Sequence, residues 1–290
     1  MMLRTQHVPI GFFRQSNNPM KTEMNKFRKL FNFDATKALF VGVERECFLT
    51  DMQGSIVPIA SEVLNSMMTV YGNFWSGTPE YAWPHEYTYE LSACQLECRV
   101  GPCDLRLLKK ELLRCEKELI KKEESLKFTR LFSEVGPADM PLDVYPDPSG
   151  RYQEIVETMP REVLLAACRV IGTHVHIGMP DHETALKVYN TVIKKCDWLC
   201  SRGNGSFGER LDIYRIVSPD CDPQPYTDWN QFYQIALAKG FNKDPRKCWT
   251  LIRISKHGTI EFRMFGATVS LERIVGWAKL CHTLCAEAMA

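Results

Sequence analysis

Four stretches of the chain alternate polar and apolar residues with the two-residue period of a strand that buries one face. Over Leu39–Thr50, Val41, Val43, Cys47 and Leu49 share one face, and Gly42, Glu44, Glu46 and Phe48 share the other. After an aromatic and proline-rich approach over Tyr81–Tyr89, Gln95, Glu97 and Arg99 alternate with Leu96, Cys98 and Val100, until Gly101-Pro102 ends the run. Over Gly172–Met179, Thr173, Val175, Ile177 and Met179 oppose His174 and His176. Trp249–Ile254 and Thr259–Phe265 form a hairpin turning at Lys256-His257-Gly258, with Thr259, Glu261 and Arg263 on one face and Ile260, Phe262 and Met264 on the other. Helical periodicity fills the intervals. Leu105, Leu108, Leu112, Cys115 and Leu119 recur at three and four within Asp104–Leu126. A second helix spans about Arg151–Ala167, a third runs from an Asp181 cap to about Cys200, and a last one from a Ser270 cap to about Ala288. The hairpin and the half-polar strands predict an α+β fold with a mostly antiparallel sheet.

Composition narrows the function classes. The chain has 290 residues, 45% hydrophobic and 24% charged, which suits a soluble globular protein rather than a fibrous or linker-rich one. Lys and Arg total 36 against 35 Asp and Glu, so no basic excess is present to displace the counterions of a nucleic acid. No apolar run approaches the ~18 residues of a membrane helix, and Met1–Met20 lacks the apolar run of a signal peptide, so neither nucleic acid nor membrane is an expected partner and the expected location is cytoplasmic. Residues 1–37 carry seven Lys or Arg against Glu23 and Asp34 and read as a loosely packed basic arm, with a short amphipathic helix over 25–31. Residues 38–290 read as a single domain. The twelve cysteines include no Cys-x-x-Cys pair and read as buried reduced thiols. The three glycines of Gly203–Gly208 lack the Gly-Lys-Ser/Thr ending of a phosphate-binding P-loop.

The polar faces carry the chemistry. Glu44, Glu46, Glu90, Glu97, His174, His176, Glu261 and Arg263 all fall on one side of separate strands. Five carboxylates on one wall repel one another unless cations neutralise them. Carboxylate oxygens with an imidazole suit Mg²⁺ or Mn²⁺, and several such ions beside an arginine suit a polyphosphate. A metal-dependent hydrolase built on His174 and His176 is a rival reading, although no His-Glu-x-x-His signature is present. A non-catalytic nucleotide-binding relative is another.

Gly-Val-Glu-Arg-Glu (42–46), the Glu90–Glu97 segment, Gly-Thr-His-Val-His-Ile-Gly (172–178) and Gly-Thr-Ile-Glu-Phe-Arg (258–263) together resemble, in order and spacing, the motifs of the glutamate–cysteine ligase type 2 family, which includes bacterial carboxylate–amine ligases of the glutamine synthetase-like group. The resemblance covers about Phe40–Cys285. It implies a curved antiparallel sheet forming an open funnel or half-barrel with helices outside. It implies ATP- and Mg²⁺- (or Mn²⁺-) dependent joining of a carboxylate, glutamate, to an amine such as cysteine, through an acyl phosphate, as in glutathione biosynthesis. Residue by residue, it assigns one metal to Glu44, His174 and Glu261 and another to Glu46, Glu90 and Glu97. Arg263 matches the phosphate-contacting arginine and, with Glu261, carries the catalytic assignment. His176, Arg151, Tyr152, Arg210 and Arg215 are the expected substrate or nucleotide contacts, and a homodimer is an expected assembly. Gly266 stands where the family commonly has Asp, and the chain stops inside the first helix after the last motif, where family members continue through further helices.

Overall fold

The computed structural model describes residues 19–71 and 85–290. Met1–Asn18 of the basic segment and 72–84, including the start of the aromatic approach at Tyr81, lie outside the described residues. Its elements, in chain order, are α1 (Pro19–Arg28), β1 (Val41–Thr50), α2 (Ala60–Tyr71), β2 (His85–Tyr89), β3 (Gln95–Cys103), α3 (Leu108–Leu126), β4 (Thr129–Leu131), α4 (Arg151–Glu157), α5 (Arg161–Arg169), β5 (Gly172–Gly178), α6 (His182–Val192), α7 (Cys196–Gly203), α8 (Glu209–Val217), α9 (Trp229–Ala238), β6 (Ile252–Ser255), β7 (Thr259–Gly266) and α10 (Leu271–Met289).

The seven strands form one sheet in the order β2-β3-β1-β5-β7-β6, with β4 added to the end of β1. Every pairing is antiparallel. This is the antiparallel α+β sheet that the alternation predicts. Its outer face is apolar: Val43, Cys98, Val175, Ile177, Ile260 and Phe262 are buried against the inward stripes of α3, α6 and α10. Its inner face carries the polar set.

Several expected elements are shaped differently. The helix over Arg151–Ala167 is two helices, because Pro160 lacks an amide hydrogen and restricts the residue before it. The helix capped by Asp181, whose carboxylate accepts from the Thr184 amide at 2.8 Å, breaks into α6, a 3-10 turn and α7. A disulfide joins Cys98 and Cys115, which face each other where the outer side of β3 meets the apolar stripe of α3, so these two are not the reduced thiols expected; the other ten cysteines are free.

The described part of the basic segment is not loosely packed. Phe27 and Phe31 are buried, with ring centroids 5.2 Å from Phe232 and from Trp229 respectively, both on α9. Beyond them, the Asn32 amide donates to the Lys256 carbonyl at 2.9 Å, and the Leu39 amide donates to the Gly178 carbonyl at 2.9 Å. Gly258 has φ 72° and a Cβ there would strike the Asn32 carbonyl, so only glycine permits this close approach.

Candidate functional site

Register decides which polar side chains meet. Glu44 pairs with Arg99 on β3 and with His174 on β5. Glu46 pairs with Glu97, and His176 pairs with Glu261, which pairs in turn with Arg253 on β6. Side chains of one strand face, placed in neighbouring strands, therefore converge on a single wall. They line an open cavity of about 180 Å³ on the inner face.

Two clusters of potential ligand atoms form on this wall. Glu44, His174 and Glu261 make one, and Glu46, Glu97 and His174 make the other, each with its ligand atoms within 4.8 Å of one another. Glu90 lines the same cavity and is hydrogen-bonded to Glu97. All six residues expected to hold metal are thus brought together, with His174 reaching both groups. Its Nδ1 lies 2.9 Å from Glu44 Oε2 and its Nε2 lies 3.6 Å from Glu46 Oε1.

Burial and crowding set the charge state of the wall. Burial and the neighbouring Glu97 push the Glu46 carboxyl up to about 8. Burial and Glu46 push Glu90 up to about 7, and burial with Glu44 raises Glu97 well above the usual carboxylate range. Burial opposes ionisation of Glu44 too, but His176 and His174 beside it hold its carboxyl well below the ordinary value. Glu261 is likewise held low against burial, chiefly by Arg253, whose Nε and Nη2 donate to its two oxygens at 2.6 and 2.9 Å. Burial and the nearby Arg263 bring His174 down to about 4, leaving a neutral imidazole with a lone pair to give. The Glu46–Glu90–Glu97 side carries crowded carboxyls that a cation would neutralise, and the buried His176 Nε2 faces Glu44 Oε1 at 3.5 Å. Hard oxygen donors plus one imidazole fit Mg²⁺ or Mn²⁺.

The predicted contact residues divide. Arg263 lines the cavity, with Nη1 donating to Glu261 Oε1 at 2.5 Å and its Nε buried without a partner. His176, Arg151 and Tyr152 line it as well, with the Arg151 guanidinium 5.4 Å from the Tyr152 ring centroid. Arg210 does not. It is buried behind Gly172 and donates to three backbone carbonyls, Ile171, Met264 and Arg263, at 2.7, 3.3 and 3.2 Å. It pins β5 to β7 rather than reaching into the cavity. Arg215 is exposed and pairs with Asp212 at 3.1 Å, outside the cavity lining. Where Gly266 replaces the family's Asp, the Glu134 carboxylate occupies the space a side chain would need, and it accepts from the Gly205 and Ser206 amides at 2.6 and 3.0 Å.

Four cations outside the expected contact set also line the cavity, Arg99, Arg246, Arg253 and Lys256, together with the His257 imidazole, which burial brings down to about 4. Two carried a usable signal. Arg99 shares the polar face of β3 with Glu97, and Arg253 lies opposite Glu261 across the hairpin. Lys256 and His257 belong to the turn, where alternation says nothing about direction.

Comparison with known proteins agrees with this geometry. The family model described as "Putative amidoligase enzyme" matches residues 118–285, which include His174, Glu261 and Arg263. A protein of Rhodopirellula baltica named "Putative glutamate--cysteine ligase 2" is 25% identical over 263 residues, covering 84% of this chain and 68% of that protein. One of the same name from Solibacter usitatus is 28% identical over 159 residues, covering 50% of this chain but only 40% of its own length. Among solved structures, a bifunctional glutathione synthetase from Pasteurella multocida shares the fold at a TM-score of 0.54 and 12% identity, over 93% of this chain and 41% of that one. With the family model covering more than half of its length, and the motif residues of that region meeting on one wall, the chain belongs to the amidoligase family.

Proposed function

We propose that the protein is an ATP-dependent carboxylate–amine ligase that joins glutamate to an amine, cysteine being the amine that the names of its relatives favour. The observation that carries this is the wall itself: two ligand clusters sharing His174, next to a set of cations in the same cavity. In this reading Glu44, His174 and Glu261 hold one divalent ion and Glu46, Glu90 and Glu97 the other. When bound, such ions neutralise phosphate oxygens and polarise the transferring phosphoryl group. The chain's own residues do the rest. Arg263, fixed by Glu261, places its guanidinium where charge grows on the phosphoryl oxygens. His176, paired with Glu44 through Nε2, lines the ligand side of the cavity, and Arg151, Arg246 and Lys256 there attract the anionic groups of nucleotide and substrate.

The test is ADP release with ATP, Mg²⁺, glutamate and a panel of amines. Amine-dependent ADP is expected, and Glu44→Ala should lower it by more than about 100-fold, beyond the loss seen when only an outer partner of a metal ligand is removed. Equal ADP release by Glu44→Ala and parent, or none with any amine, would sink the reading.

A further inference from the structure

Arg45 stands between Glu44 and Glu46, so its side chain leaves the opposite face of β1. That face is otherwise apolar, with Val43 and Cys47 on either side. Arg45 is only 4% exposed, and all three of its guanidinium nitrogens donate. Nε and Nη2 donate to the Thr268 carbonyl at 3.3 and 3.1 Å, Nη2 also to the Val269 carbonyl at 3.4 Å, and Nη1 to Glu116 Oε2 at 2.5 Å. The group lies 3.9 Å from the centroid of the Phe132 ring. Glu116 on α3 accepts in turn from Arg130 at 2.9 Å.

Networks of this kind add little net stability, because desolvating the charges consumes most of what their attraction returns. Their effect is geometric. Thr268 and Val269 lie one residue beyond β7, the strand of Glu261 and Arg263. β1 and β7 do not pair; each pairs with β5. The Arg45 fork therefore links the two outer strands of this trio behind the wall. On β5 between them, Thr173, the register partner of Arg45, donates its hydroxyl to the Gly266 carbonyl at 3.2 Å.

We propose that Arg45 is a positioning residue, which clamps β1 to the exit of β7 and so fixes the relative placement of these strands that brings Glu44 and Glu46 beside Glu261 for two divalent cations. This rests on the metal-dependent reading above. The experiment is a Mn²⁺ titration followed by the electron paramagnetic resonance signal of free Mn²⁺, on the whole chain, well below its melting temperature. Arg45→Met keeps the stem and the apolar packing but loses the fork. It should stay folded by circular dichroism and bind Mn²⁺ at least tenfold more weakly than the parent. Arg45→Lys, which keeps a charge without the planar fork, should fall between them. A folded Arg45→Met with parental affinity and stoichiometry overturns the clamp alone, whereas a parent that binds no Mn²⁺ overturns the metal reading with it. If Arg45→Met does not fold, Arg45→Lys decides: weakened binding supports the clamp and parental binding refutes it.

Discussion

Glu46 joins burial, charge crowding and chemistry in one side chain. Its ordinary carboxyl value is 4.5, and in the fold it is raised to about 8. Between those values the folded protein holds a proton that the unfolded chain has released. Unfolding then takes up no proton but loses one, so stability falls as pH rises from about 4.5 to about 8. In EDTA, the melting temperature of the parent should decline across that window, and Glu46→Gln should flatten the decline. Saturating Mn²⁺ should flatten it too, because the ions supply the positive charge and displace the protons. A parent profile in EDTA that is level, or that rises with pH to the same extent as Glu46→Gln, would remove the idea of a crowded acidic wall. The wall was legible at this scale because alternation alone places Glu44, Glu46, Glu97, His174 and Glu261 on polar faces. Arg210 misled because an arginine's partners are not written in its neighbours: its donors end on carbonyls from β7 and the residue before β5.

Between elements, the glycines at β5 and β7 decide how closely neighbours approach. A Cβ at Gly172 would strike the Arg210 guanidinium and lie 2.8 Å from the Phe265 carbonyl oxygen. Gly172 also gives its amide to Glu46 Oε2 at 2.6 Å. Gly172→Ala should therefore cost about 1–3 kcal/mol by overpacking, read by urea denaturation, and should weaken Mn²⁺ binding along with it. Asp181→Ala is the contrast. It removes the α6 cap and should cost about 1 kcal/mol, while Mn²⁺ affinity stays at the parental level, since α6 packs on the outer side. Strand positions and caps were readable from period and residue type. The split of α4 from α5 was also written in the chain, at Pro160, but helical periodicity on both sides concealed it. The helices α2, α8 and α9 went unread, since their amphipathic stripes are short and interrupted.

Across the whole molecule, the least legible feature was the fate of the basic N-terminal segment. Its charge suggested an arm, but its Phe27 and Phe31 find partners on α9, some two hundred residues away, and no local pattern announces a contact of that range. The consequence reaches the cavity. The aromatic cluster holds the irregular stretch after α1 in place, and Asn32 there fixes the turn that carries Lys256 and His257 into the cavity lining. Phe31→Ala should lower stability by about 3–5 kcal/mol, as for other buried aromatic truncations. If the N-terminal segment serves the site only through that turn, the functional loss is selective. ATP affinity, read by fluorescent-nucleotide titration below the melting temperature, should weaken several-fold. Mn²⁺ affinity should hold, because the ligand clusters sit on β1, β3, β5 and β7 and are clamped from behind by Arg45 rather than by α1. Equal weakening of nucleotide and Mn²⁺ would mean that the aromatic cluster supports the whole sheet, and no weakening of either would mean that the turn needs no support from the N-terminal segment.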